Sequence, residues 1–277
     1  MTPAAAARER LRRGDLAGAL ASLQDEVRKH AADAKLRVFL FQLLAVVGAW
    51  QRALAQLQVA GELDAGTLAM VQTYREAIRC EVLRRQVFAG KRAPLVLGRP
   101  EPWVGFLTEA LRLVGEGRAA EADELRGRAF EEASATPGMA DTAPFAWIGD
   151  ADMRLGPIFE LIIDGKYYWV PATRFKRLAF EAPSDLRDVV WLPAQITWVN
   201  GGEAVGLMPV RYPGSEDSAR DPIRLARETA WAEPRPGRFE GLGQRMLATD
   251  AGEYPILELR ELLFLAEGEG DGRAHSA

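Results

Sequence analysis

The sequence predicts an α+β protein in two parts: a helical-repeat array over residues 1–133 and a compact, mainly antiparallel α+β unit over residues 145–265. Three observations carry that reading. A Gly-x-[apolar]-x-x-Ala pattern recurs in the first part at a spacing of 34 residues. The helical stripes stop at residues 134–144, which read as a linker: the stretch is poor in large apolar groups and contains the turn signal Pro137-Gly138. Beyond it short β-type runs take over, and five of the seven tryptophans lie there.

The repeat comes first because it fixes the architecture. Gly14-Asp-Leu-Ala-Gly-Ala-Leu20 realigns with Gly48-Ala-Trp-Gln-Arg-Ala-Leu54, so Leu16 falls on Trp50 and Ala19 on Ala53. Gly117-Arg-Ala-Ala-Glu-Ala122 is a third copy, close to two periods further on. The glycine suits a tight turn between helices, the apolar residue anchors the next helix, and the alanine lets the pair approach closely. A 34-residue period is that of tetratricopeptide (TPR) helix pairs, so the array reads as TPR-like, with Gly14, Gly48 and Gly117 at helix–helix turns and Trp50 buried between helices.

The other helices of this part follow from apolar spacing. Leu36, Phe39, Leu40, Leu43, Leu44 and Val47 form one stripe. Thr67 is placed to cap a long helix through Val71, Tyr74, Ile78 and Val82 to Phe88, with Gly90 to stop it. Pro102 suits the first turn of a helix through Trp103, Phe106, Leu107, Ala110 and Leu111, and residues 118–132 read as its partner. That makes six to seven helices.

In the second part, residues 155–163 read as a short helix ending near Asp164-Gly165. Residues 166–170 and 177–181 read as strands, the first stopped by Pro171. Residues 195–199 and 203–208 flank Asn200-Gly201-Gly202, a hairpin signal. Residues 223–231 alternate as a strand would, and 244–248 and 254–264 complete the set. Ser184 to Asp188 reads as a capped helical turn, and residues 266–277 as a disordered tail.

Composition excludes several function classes. The chain of 277 residues is 48% hydrophobic and 27% charged, with net charge −4, which is ordinary for a globular protein. Residues 1–133 carry +3 and residues 134–277 carry −7, so neither part has the basic excess of a nucleic-acid binder. One cysteine, Cys80, excludes an internal disulfide, and reads as a flanking structural residue. His30 and His275 are the two histidines, too few for most metal or acid–base sites. The longest apolar stretch, residues 38–50, falls short of the roughly 20 residues that span a bilayer. With no export segment at its start, the chain is expected in the cytoplasm.

No GxxxxGK[ST], GxSxG or HExxH motif occurs, and Gly241-Leu-Gly243 reads as a turn. No catalytic, cofactor-binding or metal-ligating residue is expected, and no cofactor. The exception to weigh is Asp150-Ala-Asp152-Met-Arg154. Asp150 and Asp152 could belong to a carboxylate-based enzyme site at the seam between the two parts. The competing reading is a helix N-cap plus an Asp–Arg pair that fixes the seam. Tyr167, Tyr168, Trp169, Trp191 and Trp198 read as core packing or as a protein-recognition surface. Tyr168, Trp191, Trp198, Asp152 and Arg154 are the residues expected to bind a protein partner.

Several strings together resemble the ImpE/TagJ family of type VI secretion accessory proteins. They are Ala151-Asp-Met-Arg-Leu-Gly-Pro157, Gly165-Lys-Tyr-Tyr-Trp-Val-Pro171, Asp185-Leu-Arg-Asp-Val-Val-Trp-Leu-Pro193, Asn200-Gly-Gly-Glu-Ala-Val-Gly206, Arg211-Tyr-Pro-Gly-Ser215 and Gly243-Gln-Arg-Met-Leu-Ala-Thr-Asp250. The resemblance runs from Gly14 to about Phe264, with one departure, Ala31 where the family pattern has proline. It implies a non-catalytic adaptor that binds the small sheath subunit, TssB, and in some systems links it to the ClpV disassembly ATPase. It assigns no contact to a particular residue, and charge and hydropathy lead to the expectation of no nucleic-acid or membrane partner.

Overall fold

The computed structural model describes residues 4–265; the tail expected over 266–277, with His275, lies outside the described residues. Seven α-helices fill the first part: α1 (Ala5–Arg12), α2 (Leu16–Lys29), α3 (Ala34–Val46), α4 (Trp50–Leu63), α5 (Leu68–Phe88), α6 (Pro102–Gly115) and α7 (Ala119–Glu132). Gly14, Gly48 and Gly117 join α1 to α2, α3 to α4 and α6 to α7, at φ of 80°, 68° and 78°. Glycine enters this left-handed region without steric cost, which is why the motif begins with it. Ala19, Ala53 and Ala122 are fully buried, as close helix approach requires. Asp15 and Asp33 accept backbone N–H bonds and cap α2 and α3.

Two helix details differ from the sequence reading. Thr67 does not cap α5: its hydroxyl donates to the Ala60 and Asp64 carbonyls, closing the turn before the helix. Val82 is exposed, because the buried face of α5 is rotated to take in Cys80, Glu81 and Arg84 beside Val71, Tyr74, Ala77, Ile78 and Val87. Partners across the interface, invisible to periodicity, repay the burial of those two charges.

Fourteen strands are present among the described residues. β1 (Leu95–Val96) precedes α6. After α7 come β2 (Gly138–Ala140), β3 (Ala143–Phe145), β4 (Ile148–Asp150), β5 (Ile158–Ile163), β6 (Lys166–Pro171), β7 (Phe175–Phe180), β8 (Trp191–Trp198) and β9 (Glu203–Pro209). A short helix α8 (Asp221–Arg224) leads to β10 (Thr229–Arg235), β11 (Arg238–Gly243), β12 (Met246–Thr249), β13 (Glu253–Pro255) and β14 (Glu261–Phe264). Nine strands form one sheet in the order β1-β6-β5-β9-β8-β7-β14-β2-β3, antiparallel except for β1 beside β6. β13-β12-β4 is a smaller sheet and β10-β11 a hairpin.

Four stretches differ from expectation, each for a physical reason. Residues 158–163 are strand β5, not helix; Ile-Phe-Glu-Leu-Ile-Ile is buried on both faces, where a strand and a buried helix show the same apolar run. Asp164 and Gly165, at φ of 49° and 71°, are then the two-residue turn of the β5–β6 hairpin. The 134–144 segment, expected as a linker, holds β2 and the start of β3 on the main sheet. Residues 221–226 form α8 and its end, so only the last three residues of the expected 223–231 strand, from Thr229, are strand. Gly241 and Gly243 lie in β11 rather than in a turn, and a side chain at Gly241 would meet the Tyr212 ring.

The core explains how the parts are joined. Ile158, Ile162, Tyr167 and Trp169 face the helices and pack in one cluster with Phe41, Leu44, Tyr74 and Val87. Phe159, Leu161, Ile163 and Val170 alternate to the other face and fill the curl of the sheet with Leu178, Leu192, Met208 and Leu262. Trp50 is half-buried rather than enclosed by helices, and its ring lies 6.0 Å from that of Trp191. Gly90, at φ 71°, ends α5 where a Cβ would strike the Leu111 carbonyl of α6, while Gly117 has open space. Both Gly90→Ala and Gly117→Ala should cost about 1–2 kcal/mol for the left-handed backbone. Gly90→Ala should lose about 1 kcal/mol more in urea denaturation; equal losses would mean that α6 gives way freely.

Candidate functional site

The sheet meets the helices at a buried ionic network. Glu160 sits mid-β5 at a position that faces α5, and it is fully buried. Arg84 of α5 grips it with two parallel bonds, Nε to Oε1 at 2.6 Å and Nη2 to Oε2 at 2.8 Å. Arg245, just before β12, donates to Glu160 and to Asp150. The Tyr167 hydroxyl also donates to Glu160, and accepts from Trp169 Nε1 at 2.7 Å. Arg84 further donates to the Arg211 carbonyl at 2.8 Å, and Arg245 Nε to the Pro209 carbonyl at 2.9 Å.

Further groups extend the network at either end. Glu81 accepts from Trp191 Nε1 at 3.0 Å. The Arg211 guanidinium donates to the Val46 carbonyl at 2.7 Å, satisfying the end of α3. Tyr212 donates to Asp150 Oδ1 at 3.0 Å and accepts from Met246 N–H at 2.9 Å. Asp152 is held by Arg154 and accepts from Gly241 N–H at 2.9 Å. The elements that supply these groups lie far apart in sequence.

The environment sorts the carboxylates. Burial pushes Glu160 up, but Arg84, Arg245 and the Tyr167 hydroxyl more than offset it and hold the carboxyl at about 2. Burial pushes Asp150 up to about 7 against the pull of Arg245, helped by the Asp152 and Glu160 charges. Arg245 is shared between two acids, and Glu160, which also owns Arg84, keeps its charge. Burial raises Glu81 as well. Burial draws Arg211 down to about 10 and pushes the Cys80 thiol, which donates to the Gly165 carbonyl at 3.4 Å, up to about 12.

The structure places the expected site residues differently from a docking patch. Trp191 and Asp152 are 0% exposed and work inside the seam. Arg154 is mostly buried by its pairing with Asp152 and Glu240. Tyr168 and Trp198 are half-buried, Trp198 stacked on Phe175 at 5.5 Å. Asp150 and Asp152 come together as an adjacent pair, but β4 and the following turn point their carboxyls at arginines and Tyr212, not into a cleft, and neither caps a helix. Among the described residues no group of three His, Cys, Asp or Glu side chains is arranged to hold a metal, and no helix is long and apolar enough to cross a membrane. Sequence reasoning missed Glu81, Arg84, Glu160, Arg211 and Arg245. The available signal was a charge inside an apolar run, Glu160 in β5, and charges at i and i+3 on the inward side of α5.

A family model described as ImpE protein matches residues 142–263. The chain is 52% identical over 260 residues to a Pseudomonas aeruginosa protein named type VI secretion system accessory component TagJ, covering 93% of this chain and 90% of that one. The crystal structure of a Vibrio parahaemolyticus protein superposes with a TM-score of 0.85 at 26% identity, over 94% of this chain and 97% of that chain.

The network makes two predictions. Glu160→Gln leaves two buried arginines short of counter-charge and should cost about 3–5 kcal/mol in chemical denaturation; a loss below about 1 kcal/mol would mean that water reaches the seam. Asp150 binds its proton more tightly folded than unfolded, where its ordinary value is 3.8, so its contribution is full below that value and lost as pH rises to about 7. Glu160 works in the opposite sense, its contribution lost as pH falls from its ordinary 4.5 towards about 2. Asp150→Asn should therefore flatten the fall in urea midpoint between pH 4 and pH 7, and an unchanged slope would assign that titration to another group.

Proposed function

The chain belongs to the ImpE/TagJ family, and from that membership we propose that it is a non-catalytic accessory protein of a bacterial type VI secretion system. The observation that carries the proposal is the near-full-length match to the TagJ accessory component, which takes in the helices, the sheet and the seam between them. The partner is a short segment of the TssB-like small sheath subunit, and the protein links that subunit to the ClpV disassembly ATPase in the cytoplasm. The helix pairs joined at Gly14, Gly48 and Gly117 act as a TPR-like array, whose rigid curvature presents surfaces to a partner.

The chemistry of the seam supports an adaptor over the carboxylate enzyme. Its acids are paired with arginines and phenols that hold helices to sheet, and the Asp150 and Asp152 side chains are fully buried. A helical segment laid into an apolar groove is a docking mode that leaves a rigid scaffold unchanged. A single segment should bury less than the roughly 1,600 Å² of a standard interface, and micromolar affinity suits that size. Titration calorimetry of the full-length protein with peptides from the small sheath subunit should give one site of micromolar Kd. Binding to assembled sheath alone would overturn the short-segment reading; no binding to any sheath component would overturn the sheath partner.

A further inference from the structure

We propose that the depression beneath Trp147 and the arginine cluster beside it form one docking groove, and that its occupant is an amphipathic helical segment of another protein carrying aliphatic anchors and a carboxylate. The source of that segment rests on the accessory-protein reading above; the chemistry of the groove does not. The depression has a volume of about 450 Å³ and is lined by Phe130, Ala133, Trp147, Ile148, Met153 and Pro157, among others. Trp147, which lines it, is 44% exposed, and Phe239, bonded through its backbone to the lining residue Met153, is 42% exposed. Phe239 is tied to Met153 by N–H to Sδ and by the reverse N–H to carbonyl bond. Half-exposed large aromatics around an apolar hollow are the anchors of interfaces rather than of solvated surface.

The floor is rigid. Gly156, at φ 55°, lies against the Phe130 ring where any Cβ would collide. Asp150 N–H bonds the Gly156 carbonyl, which partly closes the outer edge of β4. Strand addition along that edge is blocked there, and side-chain anchoring is the mode that remains.

The charge beside the groove selects the occupant. One turn before Phe130 on α7, Arg126 is buried, and its Nε and Nη2 have no partner. Its acceptor, Asp123 at 3.3 Å, is shared with Arg235 at 2.7 Å and Arg238 at 3.2 Å. Asp123 thus directly contacts three guanidiniums, two of which keep over a quarter of their side chains in solvent, and the nearby Glu240 charge adds to its pull on Arg126 and Arg235. Arg154 and Glu240, paired at 3.3 Å, join the cluster to Met153 and Phe239. An incoming carboxylate meets the part-exposed guanidiniums of Arg235 and Arg238, whereas a lysine or arginine meets like charge.

The test uses the full-length protein and two labelled helical peptides of equal length, one patterned Leu/Glu and one Leu/Lys, read by fluorescence anisotropy. Wild type should bind the Leu/Glu peptide at least about tenfold more tightly than the Leu/Lys peptide. Trp147→Ala and Arg238→Glu should each weaken it about tenfold, while Val205→Ala, on a remote exposed site, leaves it unchanged. Circular dichroism confirms that each variant is folded. No binding, equal binding of the two peptides, or an unaffected Trp147→Ala would overturn the groove. The purified small sheath subunit in the same assay separates the two readings. If it binds wild type and both variants alike, the groove is wrong and the sheath partner stands. If it does not bind while the Leu/Glu preference holds, the groove stands and the sheath partner falls.

Discussion

Glu160 is one carboxylate in the middle of a strand buried on both sides, and the rest of the molecule is arranged to satisfy it. An unpaired charge there would be too costly to fold around. Arg84 must come from the helices, Arg245 from the far end of the chain, and Tyr167 from the neighbouring strand. A two-pronged arginine–carboxylate contact permits one position. Replacing such a buried network by apolar residues is often neutral, whereas removing one partner is costly, and here the partners lie on the helices and on the sheet.

That constraint removes the independence of the two parts. β1, from the helical part, is an edge of the main sheet, and Trp191 of β8 packs between Trp50 and Tyr74. The aromatic residues most suggestive of a recognition surface are largely consumed inside this joint. Large aromatics that remain exposed lie elsewhere, at Trp147 beside β4 and at Phe239 in the β10–β11 hairpin.

Local physics made much of the helical part legible. Glycines with positive φ and the apolar stripe of α3 are short-range features, and Asn200-Gly201-Gly202 likewise marks the β8–β9 hairpin. Legibility failed where burial was complete. β5 shows no alternation because both of its faces are covered, and Gly241 reads as a turn although the Tyr212 ring is what requires it. At the candidate site, Asp150, Asp152 and Arg154 stood out as a local cluster. Arg84, Glu160 and Arg245 did not, because each is a single charge in its own segment and only their meeting gives them meaning.

The sequence by itself determined the α+β class, the turns of the helix pairs, the strands around the Asn200 hairpin and, through ordered strings of residues, the family. All of these depend on neighbours within a few residues or on patterns read along the chain. Tertiary structure decided which polar residues face inward, which aromatics remain on the surface and how helices sit on the sheet. Those outcomes depend on pairings across 76 to 95 residues of chain, as for Arg84 with Glu160 and Arg245 with Asp150, and a buried charge can be recognised only when its partner is in place.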